Sequence, residues 1–184
     1  VSFMVLPGYL LGRLFGISQV GTFLVVSVFA FLNMLLIRAI AVRLGASCFA
    51  GTLAALAFGF ATPAFAYGVD LYQHHISTFI ILLSIYLLSR FRHPLSFAGV
   101  WFLAALSVVV DNPNLFLMFP IGLYAVYLFL RDYRERTVRS GRPVRRAIAY
   151  LATFLVMAIP MGGFLWYNQA AYGNPFQLPG TLQD

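Results

Sequence analysis

Apolar segments separated by short polar breaks recur along the whole sequence, and this pattern most constrains the fold. About 20 apolar residues are enough to cross a bilayer as a helix. The 184 residues are 61% hydrophobic and 9% charged, which is too few charges to cover a water-soluble surface of this size. The sequence predicts an all-α fold, a single polytopic transmembrane helix bundle of about six to seven spans. The expected spans are residues 1–12, 20–41, 48–67, 76–89, 95–110, 115–130 and 147–167.

The distribution of arginine predicts how the bundle is oriented. All 12 basic residues are arginine, and clustered arginine in a membrane protein marks cytoplasmic loops. The loop 131–146, with the sequence RDYRERTVRSGRPVRR, is therefore predicted to be cytoplasmic. Counting spans from it places Arg38, Arg43 and Arg90 inside and only Arg13 outside. The net charge of +7 is thus explained by membrane orientation, and no nucleic-acid partner is expected.

Two predicted spans are short for a bilayer. Residues 76–89 and 95–110 measure roughly 21 and 24 Å as helices, less than the ~30 Å hydrocarbon core. Both reach the cytoplasmic face, so their outer ends should stop below the outer lipid surface. Polar backbone at that depth is tolerated where it is buried or lines a water-filled cavity. We expect an outward-open polar cavity bordered by Asp70, His74 and His75 at one end and by Asp111, Asn112 and Asn114 at the other.

Asp70 and His74 share a helical face if the turn between them is helical. A carboxylate and an imidazole there could hold a divalent metal, bind a phosphate or relay a proton. For a divalent metal, the expected ligands are Asp70 and the neighbouring His75. The alternative is an interfacial pair that only ends a helix. Asp111 is open to the same two interpretations, because Asp-Asn-Pro is also strong turn chemistry. Asn33, inside an apolar span, is expected to form a helix–helix hydrogen bond.

Four segments, in this order, resemble bacterial and archaeal polytopic glycosyltransferases of the C-type fold, the relatives of protein mannosyltransferases and aminoarabinose lipid A transferases. The first is residues 6–16, LPGYLLGRLFG. The second is AALAFGFATP at 54–63, followed by Tyr67 and the His74-His75 pair. The third is LSVVVDNP at 106–113. The fourth is Tyr167-Asn168 with YGNPF at 172–176.

The resemblance implies a transferase that takes its sugar from a polyprenyl-phosphate donor at the outer face of a prokaryotic plasma membrane. A carboxylate would act as base, and cationic or metal-bound groups would hold the departing phosphate. The family's catalytic carboxylate lies in an earlier outer loop, so we expect it upstream of Val1 in a longer protein. His74 or His75 matches a histidine that opens a helix in the family, Asn168 matches its late outer segment, and Arg13 could meet a lipid phosphate.

Two other functions are compatible with this sequence. One is a non-catalytic transmembrane subunit or scaffold bound to other membrane subunits in a larger complex. The other is a transporter that uses Asp70, His74 and Asp111 as an ion path, which the lack of an internal sequence repeat disfavours. An acidic pair in an outer loop upstream of Val1 would distinguish the enzyme from the scaffold.

The predicted orientation can be tested by cysteine labelling in intact cells. In a Cys48→Ser background, a membrane-impermeant maleimide should label a cysteine at Gln177 from outside and should not label one at Ser140 until the cells are opened. Labelling of position 140 in intact cells would show that the arginine-rich segment is external.

Overall fold

The computed structural model describes residues 2–90, 93–140 and 143–177, and no strand occurs within these ranges. The chain forms two compact units, Val1–Phe91 and Arg92–Asp184, which are described in turn. The prediction of an all-α fold is thus confirmed for the described residues. The single bundle over residues 1–184 remains a prediction. The helices of the first unit are α1 (Ser2–Leu14), α2 (Ser18–Arg43), α3 (Cys48–Phe60), α4 (Ala64–Tyr67) and α5 (His74–Arg90).

The second unit is also helical. Its elements are α6 (Pro94–Val110), α7 (Asn114–Ser140), α8 (Pro143–Ala152), a 3₁₀ segment (Thr153–Met157) and α9 (Ala158–Tyr172). Local contacts explain where α6 begins and where α9 ends. His93 caps α6 through Nδ1, which accepts from the Leu95 N–H at 3.3 Å, and Pro94 occupies the first turn, where its missing N–H costs nothing. Gly173 ends α9 in the left-handed conformation at φ 70°.

Three segments of the described chain are long and apolar enough to cross a membrane: Ser18–Arg43, Asn114–Glu135 and Ala147–Tyr172. Four further apolar helices are shorter: Phe3–Leu14, Cys48–Phe60, His74–Arg90 and Pro94–Val110. These features identify an all-helical protein of the membrane class. The finer count of six to seven spans remains a prediction, because the shorter helices do not reach across a bilayer on length alone.

The sequence interpretation was wrong in two places. Residues 48–67 are not one helix: α3 ends at Phe60, and Pro63 precedes the separate turn α4, because proline cannot donate to the preceding carbonyls. Residues 131–146 are not a loop: α7 continues to Ser140 and α8 begins at Pro143, while residues 141–142 lie outside the described ranges. Arginine and glutamate favour helix, and Arg131 bonds Glu135 one turn later at 2.8 Å.

Small residues allow α1 and α2 to pack closely. Gly8 and Gly12 lie one turn apart on α1 and face Gly21 and the start of α2. A Cβ at Gly8 would strike the Gly21 carbonyl, and one at Gly12 would fall 2.7 Å from the Ile17 oxygen. Membrane helices associate through such glycine contacts because lipid supplies no hydrophobic force between them.

Helices α1 and α2 are antiparallel, because Gly8 faces Gly21 and Gly12 faces Ser18, whereas α2 and α5 run parallel. His75, at the start of α5, bonds Asn33, and Ser89, near its end, accepts from Arg43 Nε at 2.6 Å. Because residue numbers increase together along both helices, both end on the same side of the unit. Arg43 and Arg90 therefore lie at neighbouring helix ends, as the charge pattern predicted.

Replacing Gly21 by alanine should destabilise the protein by about 1–3 kcal/mol, because the added methyl group collides with the backbone of α1. Gly122→Ala in α7 is the matched control: a Cβ there meets nothing within 4 Å, so helix propensity should make it neutral or slightly stabilising. Thermal unfolding of the purified protein in detergent measures both. Equal effects of the two substitutions would contradict the close packing of α1 on α2.

Candidate functional site

The segment joining α3 to α5, residues 61–73, lies beside the middle of α2. At its start, a Cβ on Gly59 would touch the Met34 side chain. Further along, the Ser27 hydroxyl donates to the Gly68 carbonyl at 2.8 Å. At its end, His75 bonds Asn33. All of these contacts fall within the central third of a helix that runs roughly 39 Å from Ser18 to Arg43.

The position of this connecting segment (residues 61–73) has a physical consequence. α2 is long enough to span a ~30 Å hydrocarbon core, so non-helical backbone beside its middle cannot face lipid. It must be buried against protein or line a water-filled cavity. Asp70, Tyr72 and His74 are exposed in this structure. With α2 as a membrane span, these polar, accessible side chains would need a hydrated cavity or another protein around them, as the sequence predicts.

A buried hydrogen-bonded node anchors the connecting segment. Asn33 is fully buried and His75 is 3% exposed. The Asn33 Nδ2 group donates to the His75 carbonyl at 2.9 Å and lies 3.3 Å from His75 Nδ1. His75 Nε2 lies 2.8 Å from the Ala64 carbonyl. A carbonyl can only accept, so Nε2 carries the proton and Nδ1 accepts from Asn33. The expected helix–helix bond of Asn33 is thus present.

This geometry corrects the role predicted for His75. Both ring nitrogens are used within the protein, one by Ala64 and the other by Asn33. Neither retains a lone pair for a metal or a proton for a phosphate in this arrangement. Its function is structural: it ties the first turn of α5 to α2 and to α4. Among the described residues, no group of three or more histidine, cysteine, aspartate or glutamate side chains forms a metal site.

His74 is the accessible histidine, and it lies in a cluster of rings. Its imidazole centre is 4.8 Å from the Tyr67 ring, edge-on, and 5.8 Å from the Tyr72 ring, which it stacks against. The two tyrosines contact each other edge-to-face at 5.7 Å. Asp70, between them in sequence, is exposed. Adjacent positions on a helix point about 100° apart, which explains how His75 faces inward while His74 faces the exposed side.

Arg13 does not join this cluster. It lies in the last turn of α1 and is exposed. Its neighbour Gly12 packs against Ser18, the first residue of α2. Asn33, which marks the level of His75, lies 15 residues further along α2, or roughly 22 Å. Arg13 thus belongs to the opposite end of α2 from Arg43, as the charge pattern predicted. It is too far from His74 to share one ligand group with it.

In the second unit, Asp111 ends α6. It is half-buried and adopts an extended backbone, and its N–H donates to the Ser107 carbonyl at 3.0 Å. Its own carbonyl accepts from the Asn114 N–H at 3.0 Å, closing the turn into α7. The buried Asn114 side chain also donates to the Ser107 carbonyl. These hydrogen bonds therefore account for the turn between α6 and α7. The convergence of Asp111 with Asp70 and His74 remains a prediction, because the residues belong to separate units.

Asn168 also has a structural role. It is 1% exposed, and its Nδ2 group donates to the carbonyls of Pro175 and Gln177 at 3.2 and 2.8 Å. These bonds fold the segment after Gly173 back onto α9. The substrate contact predicted for Asn168 stays a prediction, and its amide nitrogen is used in these two bonds. The resemblance at 172–176 thus coincides with a turn stabilised from within the unit.

Sequence reasoning missed the ring cluster of Tyr67, Tyr72 and His74, although the three positions stand within eight residues of one another. It also missed a buried pair in the second unit, where the Tyr150 hydroxyl donates to Asp132. The signal for this pair was an aspartate among arginines opposite a tyrosine in the next helix. A lone tyrosine in an apolar helix does not distinguish this pair from ordinary packing.

No protein-family model, no curated protein and no solved structure matches this chain. The three long apolar helices define its class as a helical membrane protein.

Substituting each histidine in turn should distinguish the buried, structural His75 from the exposed His74. His75→Ala removes the bond to the Ala64 carbonyl and one of the two bonds of the Asn33 amide, and should destabilise the protein by about 1–2 kcal/mol. His74→Ala, at an exposed position, should change stability by less than about 0.5 kcal/mol. Chemical unfolding in mixed micelles gives both values. A larger loss for His74→Ala than for His75→Ala would overturn the assignment.

Proposed function

We propose that this chain is part of a membrane glycosyltransferase that uses a polyprenyl-phosphate sugar donor at the outer face of the membrane. The supporting observation is the exposed cluster of Tyr67, Tyr72 and His74 beside the middle of a helix long enough to span a bilayer. Together with Asp70, it supplies aromatic faces, hydroxyl groups, an imidazole and a carboxylate at a depth that a lipid-linked sugar can reach. The order of motifs resembling this enzyme class points to the same chemistry.

His74 is the group that would act on the donor phosphate. As the glycosyl bond breaks, negative charge builds on the departing phosphate, and a hydrogen-bond donor held in place stabilises that charge. The rings of Tyr67 and Tyr72 both contact the imidazole and restrict its plane. Tyrosine hydroxyls both donate and accept hydrogen bonds, as sugar hydroxyls require.

A divalent metal would need a different ligand set from the one the sequence suggested. His75 is occupied by structural bonds, so Asp70 in the connecting segment and His74 at the start of α5 are the candidate metal ligands. Oxygen and imidazole donors suit several divalent cations. Further ligands would have to come from the donor phosphate or from parts of the protein beyond these residues.

A second candidate is a non-catalytic transmembrane subunit. Its support is that two residues proposed as ligands, His75 and Asn168, have their nitrogens engaged in bonds that hold the fold together. Arg13 lies roughly 22 Å along α2 from the ring cluster. In this case the exposed rings would receive another membrane subunit rather than a sugar.

Transfer of sugar from a polyprenyl-phosphate donor by purified full-length protein distinguishes the two. For an enzyme, His74→Ala should lower turnover about a hundredfold or more, because the departing phosphate loses a stabilising donor. Thermal stability should remain at the wild-type value. Gln73→Ala, the neighbouring polar position, is the matched control and should retain most of the activity. Full turnover in His74→Ala would exclude the histidine from the reaction, and no transfer by the wild type with any donor would favour the subunit.

A further inference from the structure

The second unit ends on one side in a helical hairpin, formed by α7 and α8. The two helices are antiparallel: Phe129 packs against Phe154 at 5.5 Å between ring centres, and Tyr133 packs against Tyr150 at 5.6 Å. Beyond this last pair, α7 continues for seven residues to Ser140 and α8 begins at Pro143. Both helices therefore extend roughly 10 Å past the Tyr133–Tyr150 contact.

This arginine hairpin, residues 131–152, carries a large positive charge. Its sequence contains seven arginines and two carboxylates, for a net charge of +5 (7 − 2). Both carboxylates are engaged within the protein. Glu135 bonds Arg131, and the buried Asp132 accepts from the Tyr150 hydroxyl. The seven arginines are Arg131, Arg134, Arg136, Arg139, Arg142, Arg145 and Arg146.

An apolar stripe runs along the same hairpin. Val144, Ile148, Leu151 and Leu155 are 70, 63, 63 and 72% exposed. Val144, Ile148 and Leu151, spaced by four and three residues, lie on one side of α8, and Leu155 follows in the 3₁₀ segment. The opposite side of α8 holds the buried Tyr150. The stripe continues into Ala147–Tyr172, a segment long and apolar enough to cross a membrane. Its first members, Val144 and Ile148, therefore place exposed apolar surface beside the arginines of α8.

We propose that the arginine hairpin is a binding surface for anionic phospholipid. The phosphate of such a lipid would pair with the arginines, while its acyl chains pack along Val144 and Ile148. Guanidinium groups pair with phosphate in a planar, two-bonded geometry. Clusters of four to eight basic residues directly beside a membrane span bind acidic headgroups, and each such residue strengthens binding about fivefold.

The apolar stripe distinguishes a lipid from a soluble partner. A nucleic acid or an acidic soluble protein would satisfy the arginines but would leave Val144 and Ile148 in water. A phospholipid satisfies both, because one molecule carries a phosphate for the arginines and acyl chains for the apolar side chains beside them. This inference is independent of the glycosyltransferase proposal and uses no residue of the ring cluster.

The test is lipid selectivity of the complete protein in bilayers. Spin-labelled phosphatidylglycerol and phosphatidylcholine are added in turn to protein reconstituted in phosphatidylcholine, and the immobilised fraction of each lipid is compared. The wild type should prefer phosphatidylglycerol severalfold at low salt, and high salt should weaken the preference. The double variant Arg145→Gln, Arg146→Gln should lose at least about half of that preference with an unchanged unfolding temperature. Arg90→Gln, at the end of α5, is the matched control and should retain it.

Three outcomes would overturn the proposal. The wild type could show no preference for phosphatidylglycerol. The preference could persist unchanged in the double variant, which would locate it elsewhere. Arg90→Gln could reduce it as strongly as the double variant does, which would make it a property of total charge. If the double variant fails to fold, Ile148→Asn provides a second test: it should weaken the immobilisation of both lipids near the hairpin.

Discussion

Polar backbone beside the middle of a membrane-spanning helix has to be satisfied by the protein itself, and much of the first unit follows from that constraint. α2 contributes two polar side chains to meet it. The Ser27 hydroxyl bonds the Gly68 carbonyl, and Asn33 bonds the start of α5. His75 completes the arrangement by reaching back to Ala64. These bonds give polar groups of the connecting segment partners at a depth where each unsatisfied group costs several kcal/mol.

The same bonds decide which side chains remain available for chemistry. Because His75 faces inward, helical geometry directs His74 to the exposed side, where the rings of Tyr67 and Tyr72 contact it. The anchor and the exposed group are therefore consecutive residues with opposite roles. A buried node with Asn33 fully enclosed also resists movement, since breaking it leaves amide and imidazole groups without partners. The contacts with both tyrosine rings restrict the exposed imidazole, as the electrostatic role proposed for it requires.

The helical class and the charge-bearing ends could be predicted from sequence because both depend on composition and spacing alone. Apolar runs located most helices within a few residues, and the arginines marked one end of α2 and α5. The break at Pro63 was missed because the apolar pattern continues across it. The roles of His74 and His75 could not be assigned, because neighbouring residues share a composition and differ only in the direction they face. The extension of α7 to Ser140 was missed because polarity was taken for irregular structure, although arginine and glutamate favour helix.

The parallel arrangement of α2 and α5 has a consequence for how the protein is assembled. α3 and α5 contain 13 and 17 residues and both run between the Arg43 end and the middle of α2. The chain between them therefore enters and returns on one side. If both helices enter the bilayer, the polar backbone of their connecting segment needs Ser27 and Asn33 of α2 as partners. We therefore expect this helix pair to be placed in the membrane only after α2, and we expect loss of Ser27 and Asn33 to appear first as failed biogenesis.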